Sequence, residues 1–299
     1  MKGVAVSVSA GLVCMVLNGC VSISERPEPA KPFQFRSLTL RQNDEVGEPL
    51  WELRSPRSRY QLDNRQAVVT SPVGILYREG TPAYRLTAPK GILIRDGEQV
   101  ELLDGVHLRA LDGSRLVITG DRAIWTPNDD LLVLEGSPKA ENPTQRLTAN
   151  RAQFNAKAEE LQLRDNLVLM RWNEGQSHRE PAPLVLRSPE ADWNLKDGGL
   201  NVAGPVKGVQ RPEPDRQRLL SAAALVGNTT ENWIDFQPPV TVDEADEGLS
   251  LRAGRTRWWT KDNRLSSRAP AKVKNKNNIK NKFKDLKLWC AASTHEGEE

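Results

Sequence analysis

Between Leu161 and Leu169 the apolar residues Leu161, Leu163, Leu167 and Leu169 take odd positions, and mostly polar or charged residues take the even ones. That two-residue period is the mark of a half-buried β-strand. The strand is the return half of a longer unit, residues 147–169, which opens on Leu147 and Ala149, reaches Phe154 and passes a polar turn. The unit predicts a two-stranded hairpin with one apolar and one polar face.

The unit recurs. Seven residues after a leucine-like position comes a bulky apolar one, as in Leu53 and Tyr60, Leu86 and Leu93, Ile118 and Trp125, and Leu147 and Phe154. The series continues with Leu186 and Trp193, Leu219 and Val226, and Leu251 and Trp258. About thirteen residues further on stand Val73, Val106, Pro138, Leu167, Val206, Val240 and Ala271. The anchors lie roughly 30–39 residues apart, within the range of repeat architectures. The body therefore reads as all-β, built from about seven stacked hairpin repeats.

Each opening strand carries a change of parity. Leu147 and Ala149 are odd while Ala152 and Phe154 are even; Leu186–Ser188 with Ala191–Trp193, and Leu251–Ala253 with Thr256–Trp258, repeat the change. A β-bulge there would return both pairs to one face and bend the strand, which predicts curved hairpins stacked along an axis rather than a flat sandwich. Turn chemistry separates the paired strands at Arg95–Glu98, Asn128–Asp130, Ala156–Glu159, Lys196–Gly199 and Lys261–Asn263, and a second turn series includes Leu111–Ser114. Return strands such as Val100, Leu102, Val106 and Leu108 keep their apolar residues on one parity. The looser segment 173–183 reads either as a long loop or as a joint between two halves, 38–172 and 184–273. The apolar face either closes as a filled core or leaves a groove for something greasy.

The N-terminus has a different character. Lys2 precedes an uncharged apolar run from Val4 to Leu17, too short for a comfortable membrane span and suited to a signal-peptide core. The run ends in Leu17-Asn18-Gly19-Cys20, which resembles the lipobox of bacterial lipoproteins; Asn18 departs from the small residue usual there. Residues 1–20 are expected to be a lipoprotein signal peptide with Cys20 as the lipid anchor. An ordinary signal peptide or an uncleaved anchor also fits. Residues 21–37, with Pro27, Pro29 and Pro32, form a tether, and residues 274–299 a basic then acidic tail expected to be disordered.

Chemistry is sparse. A net charge of +3 gives no global field for nucleic acid. Cys14, Cys20 and Cys290 are too few and too scattered for a disulfide framework, and His107, His178 and His295 lack partners at metal-ligand spacing. No nucleophile, phosphate-loop or cofactor motif is present, so neither a catalytic residue, a metal nor a cofactor is expected. Asp96, Glu98, Glu101 and Asp104 offer paired carboxylates for glycoside cleavage, but Asp96-Gly97 is a turn signal and a solvated hairpin is the simpler reading. Arg36, Arg41, Arg54, Arg57 and Arg59 read either as a phosphate-facing cluster or as a solvated face.

The repeat Leu147-Thr-Ala149-Asn-Arg-Ala152-Gln-Phe154, the return Leu200-Asn-Val202-Ala-Gly204-Pro-Val206 and the segment Ser71-Pro-Val73-Gly-Ile-Leu-Tyr77 are similar to the LptC/LptA (OstA-like) family of lipopolysaccharide transport proteins, over about residues 50–273. The resemblance implies an elongated twisted antiparallel β-jelly roll (β-taco) whose interior holds lipid A acyl chains. It implies as partners lipopolysaccharide, an LptBFG-like ABC transporter complex, and an LptA-like periplasmic bridge joined by edge-strand pairing. Localisation would be periplasmic, lipid-anchored at the inner membrane. The expected groove residues are Leu86, Ile118, Trp125, Leu147, Phe154, Leu163, Leu167, Leu186, Trp193, Val202 and Val206. A structural or adhesive β-solenoid lipoprotein without lipid cargo is the competing reading, and a carbohydrate-active β-helix a third.

Overall fold

A computed structural model describes residues 33–62, 65–213, 216–244, 248–261, 264–267 and 272–275. Cys20, the leader, the start of the tether and the tail beyond Asn275 lie outside the described residues. The described body is an elongated twisted β-jelly roll, with neighbouring strands paired antiparallel. Its strands fall into two walls. The first sheet runs from Phe33–Phe35 and Arg57–Gln61 through Arg122–Thr126 and Leu131–Glu135 to Arg264–Ser267. The second runs from Leu38–Asn43 and Pro49–Ser55 through Val106–Ala110 and Val117–Gly120 to Lys272–Asn275.

The chain crosses between the walls after every hairpin. Val73–Arg78 and Thr81–Thr87 pair in the second sheet, Lys90–Ile94 and Gln99–Leu103 in the first, and Val106–Ala110 and Val117–Gly120 in the second again. Among the described residues the first sheet holds seven such hairpins, matching the seven anchors read from the sequence.

Two of the three parity changes have a different cause from the expected bulge, and the third, Leu186–Ser188 with Ala191–Trp193, falls inside one strand opposite a register shift. Leu147 lies in Gln145–Thr148 of the second sheet and Phe154 in Arg151–Asn155 of the first, so the change marks a corner between two strands. Both residues point inward because the walls face each other. Register shifts within strand pairs occur between Gln42 and Asn43, Leu76 and Tyr77, and Gln210 and Glu213, and at a corner between Arg164 and Leu167 of the long strand Glu160–Arg171. There Asp165 (φ 63°) and Asn166 (φ 58°) are left-handed, a conformation that Asn and Asp tolerate best after Gly. That strand and its neighbour Leu184–Asn194 belong to both sheets and bend from one to the other. Segment 173–183, which intervenes, is a loop of the second sheet flanked by strands that pair from Arg171–Leu184 to Glu160–Asn194. Lys272–Asn275 is a strand on Leu249–Ala253, so ordered pairing continues past residue 273.

The two long margins differ in kind. At the corners, backbone groups bond to one another: Ser71 N–H donates to Pro89 O (2.7 Å), Gly105 N–H to Asp121 O (2.9 Å) and Asn150 N–H to Asp165 O (2.9 Å). This margin is a covalent and hydrogen-bonded spine. At the opposite margin lie the hairpin turns of both sheets. The backbone hydrogen bonds of those turns stay within one sheet, as from Leu195 N–H to Glu159 O or from Trp172 N–H to Thr144 O. The walls meet at that seam through side chains.

Candidate functional site: the interior between the walls

Inward residues form continuous cross-strand rows. In the second sheet one row passes Leu53, Gly74, Leu86, Leu108, Ile118, Ala140, Leu147, Leu169, Leu186, Gly208, Leu220 and Val242. In the first sheet the facing row passes Ala67, Leu93, Val100, Trp125, Leu132, Phe154, Leu161, Trp193 and Leu200. Strict alternation of side chains across each pleat gathers these residues into one apolar layer.

All eleven groove residues expected from the sequence fall in this layer. Leu86, Ile118, Leu147, Leu167, Leu186 and Val206 come from the second wall, and Trp125, Phe154, Leu163, Trp193 and Val202 from the first. They are 0–4% exposed. The walls touch: Trp125 meets Trp51 edge-on with ring centroids 5.3 Å apart, and Phe154 meets Tyr84 at 5.0 Å. The interior of this conformation is thus filled by its own side chains, and room for any guest requires the walls to part. Parting them there exposes two aromatic pairs, each worth about 0.5–1.5 kcal/mol beyond its buried area.

The seam is held by polar contacts that no local sequence pattern announces. Arg78 pairs with Glu159 across the walls, and Tyr84 Oη donates to Glu159 Oε1 at 3.0 Å. Burial, reinforced by the Glu159 charge, pushes the Tyr84 hydroxyl pKa well above its ordinary value. Further along, Arg171 Nη2 of the second wall donates to Asn232 Oδ1 (3.2 Å) and Thr260 Oγ1 (2.8 Å) of the first. The row of the second wall nearest the seam changes character with position. It is apolar or aromatic at Trp51, Leu76, Tyr84 and Ala110, then mostly polar, at Gln145, Arg171, Gln210 and Arg218, with the buried Leu184 between Arg171 and Gln210.

The candidate carboxylates do not converge. Asp96 binds Arg65 and accepts from Tyr60 Oη (2.8 Å), while Glu101 pairs with Arg122 (3.1 Å). His107 is exposed; His178 contacts Glu141 Oε1 (2.6 Å) and stacks on Trp172 at 4.1 Å, a pairing its sequence neighbours did not announce. No group of three or more metal-ligating side chains occurs among the described residues, and none of their helices is long and apolar enough to cross a membrane. Of the five arginines, Arg54 pairs with Glu52 and Arg41 Nε donates to Asn43 Oδ1 (3.0 Å), whereas Arg36, Arg57 and Arg59 line one cavity of about 760 Å³ at the N-terminal end.

The solved structure of LptH, the LptA-homologous periplasmic component of the lipopolysaccharide transport device of Pseudomonas aeruginosa, is 13% identical, with 53% of this chain and 93% of that one covered and a TM-score of 0.26. No curated protein matches this chain. The family model described as lipopolysaccharide-assembly, LptC-related, matches residues 10–166, just over half of the 299. The chain belongs to the LptC-related family of lipopolysaccharide-assembly proteins.

Proposed function

We propose that the protein shields lipopolysaccharide acyl chains between its two walls and passes them along a transport bridge toward the outer membrane. One observation carries the reading: an apolar layer runs the length of the body, closed by backbone bonds along one margin and only by side chains along the other. A fourteen-carbon chain in water costs on the order of 10 kcal/mol at about 0.8 kcal/mol per methylene, so a carrier needs a long dry interior and no active site. Cys20 would carry the lipid anchor on the periplasmic face of the inner membrane, with the tether of residues 21–37 joining the body at the paired strand Phe33–Phe35. Residues 38–172 and 184–273 would serve as two parts of one groove.

The ends of the body suit docking to an LptBFG-like transporter and an LptA-like bridge. Among the described strands, Phe33–Phe35 and Leu38–Asn43 at one end, and Arg264–Ser267 and Lys272–Asn275 at the other, each have one strand partner. Leu38 and Leu40 at one end, and Leu251 and Ala253 at the other, are only half-buried against the core. Unpaired strand edges beside half-covered apolar residues are surfaces for strand addition.

The wall-to-wall contact of Trp51 with Trp125 favours a second reading, a cargo-free structural body. Mass spectrometry of lipids retained by the full chain purified from membranes separates the two. Stoichiometric lipopolysaccharide is expected; its absence, with the protein folded, supports the structural body.

A further inference from the structure

The polar half of the seam contains a cation that has no counter-ion among the described residues. Arg171 continues the inward row Leu167, Leu169 to the mouth, where its cross-strand partner is Leu184. Its Nη2 is held by Asn232 and Thr260, both neutral, while Nε and Nη1 make no hydrogen bond among the described residues. Burial lowers its pKa, and no carboxylate offsets the effect. Beside it a small cavity of about 50 Å³ opens at the seam, lined on the second wall by Arg171, Gln210 and Arg211 and on the first by Trp258 and Thr260. Arg211 donates one hydrogen bond, from Nη1 to Ala182 O (3.3 Å), and forms no ion pair among the described residues. The other latches differ: Arg78 has Glu159, and Arg216 and Arg218 share Glu244.

A partly buried charge is normally paired, because desolvation penalises it otherwise. Two guanidiniums at the end of a leucine row, around a cavity without carboxylates, complement an amphiphile whose tail is apolar and whose head is anionic. A guanidinium fork matches phosphate oxygens in particular. We infer that the Arg171–Arg211 cavity receives a phosphate monoester of the glycolipid headgroup while the acyl chains lie between the walls. This rests on the acyl-shielding reading, and it concerns a part of the chain beyond residues 10–166, the span of the family match.

The test compares bis-phosphorylated lipid A with the same lipid dephosphorylated, each displacing a fluorescent acyl probe from the full chain. The intact protein is expected to prefer the phosphorylated form by about ten- to a hundredfold, the worth of one charge-assisted hydrogen bond. Arg171→Gln and Arg211→Gln together should bring the phosphorylated form to the affinity of the dephosphorylated one, whereas Arg78→Ala, which loosens the seam elsewhere, should keep the preference. Equal binding of both lipids by the intact protein overturns the inference and leaves acyl shielding standing. Binding of neither overturns acyl shielding and the inference with it. A preference lost equally in Arg78→Ala assigns the effect to seam opening and overturns the phosphate site. Inorganic phosphate titrated alone should bind at least about a hundredfold more weakly than the phosphorylated lipid; equal binding overturns the headgroup assignment.

Discussion

Removing Arg78 should be far more damaging than neutralising its partner. The Glu159 side chain is 5% exposed and the Arg78 side chain 46%. Arg78→Ala strands a buried carboxylate whose remaining donor among the described residues is Tyr84 Oη, since Glu159 Oε2 has no hydrogen-bond partner among them. Breaking a fully buried pair costs about 3–5 kcal/mol. Water reaching the half-exposed guanidinium reduces that to about 1–3 kcal/mol. Glu159→Gln removes the charge yet keeps an acceptor for both Tyr84 and Arg78, so it should cost about 1 kcal/mol or less. In the double variant no charge remains buried, and at least about 1 kcal/mol of the Arg78→Ala loss should return. Urea denaturation with an unchanged slope reads all three. If Glu159→Gln matches Arg78→Ala, or the double variant equals the sum of the singles, the desolvation argument is wrong.

Three further outcomes follow from the same packing. Trp125→Ala should destabilise by about 3–5 kcal/mol, because a fully buried ring wedged against Trp51 leaves a cavity; Trp125→Phe should cost about 1 kcal/mol, since the buried indole N–H has no acceptor among the described residues to lose. Denaturation midpoints check both. Burial alone would raise the Glu141 pKa, but hydrogen bonds from Arg146, His178 and Lys139 hold it down at about 2. Its stabilisation is therefore complete above the unfolded-state value near 4.5 and is lost as pH falls toward 2, so Glu141→Gln should cost about 1–3 kcal/mol at pH 7 and almost nothing near pH 2. Arg78→Ala should also speed uptake of a fluorescent acyl probe severalfold, measured by stopped flow, with an unchanged rate counting against entry through the seam.

Much of the fold is legible in the sequence because its determinants are local. Period-two alternation in Leu161–Leu169 and turn residues such as Asp197-Gly198 fix strands and hairpins within a few residues. The bulky anchors Trp125, Phe154 and Trp193 all face inward, as their spacing requires. The corners were less legible. A parity change at Ala149 says only that the strand bends, and the choice between a bulge and a crossing to a second wall depends on which distant strand pairs with each half. The seam was barely legible. Arg78 and Glu159 lie 81 residues apart and Arg171 and Thr260 lie 89 apart, so no spacing rule links them. Alternation continued two residues past Leu169 puts Arg171 on the inward parity, the one hint in the sequence that a cation stands at the mouth.

The most direct measurement places a photo-crosslinking residue in turn at Phe154 and Leu163, inside the layer, and at Arg151 and Gln153, exposed on the outer face of the same hairpin. Irradiated in living cells, the inward positions should capture lipopolysaccharide and the outward ones should not. Capture only outside, or nowhere while the variants remain folded, would contradict an interior that opens to receive acyl chains.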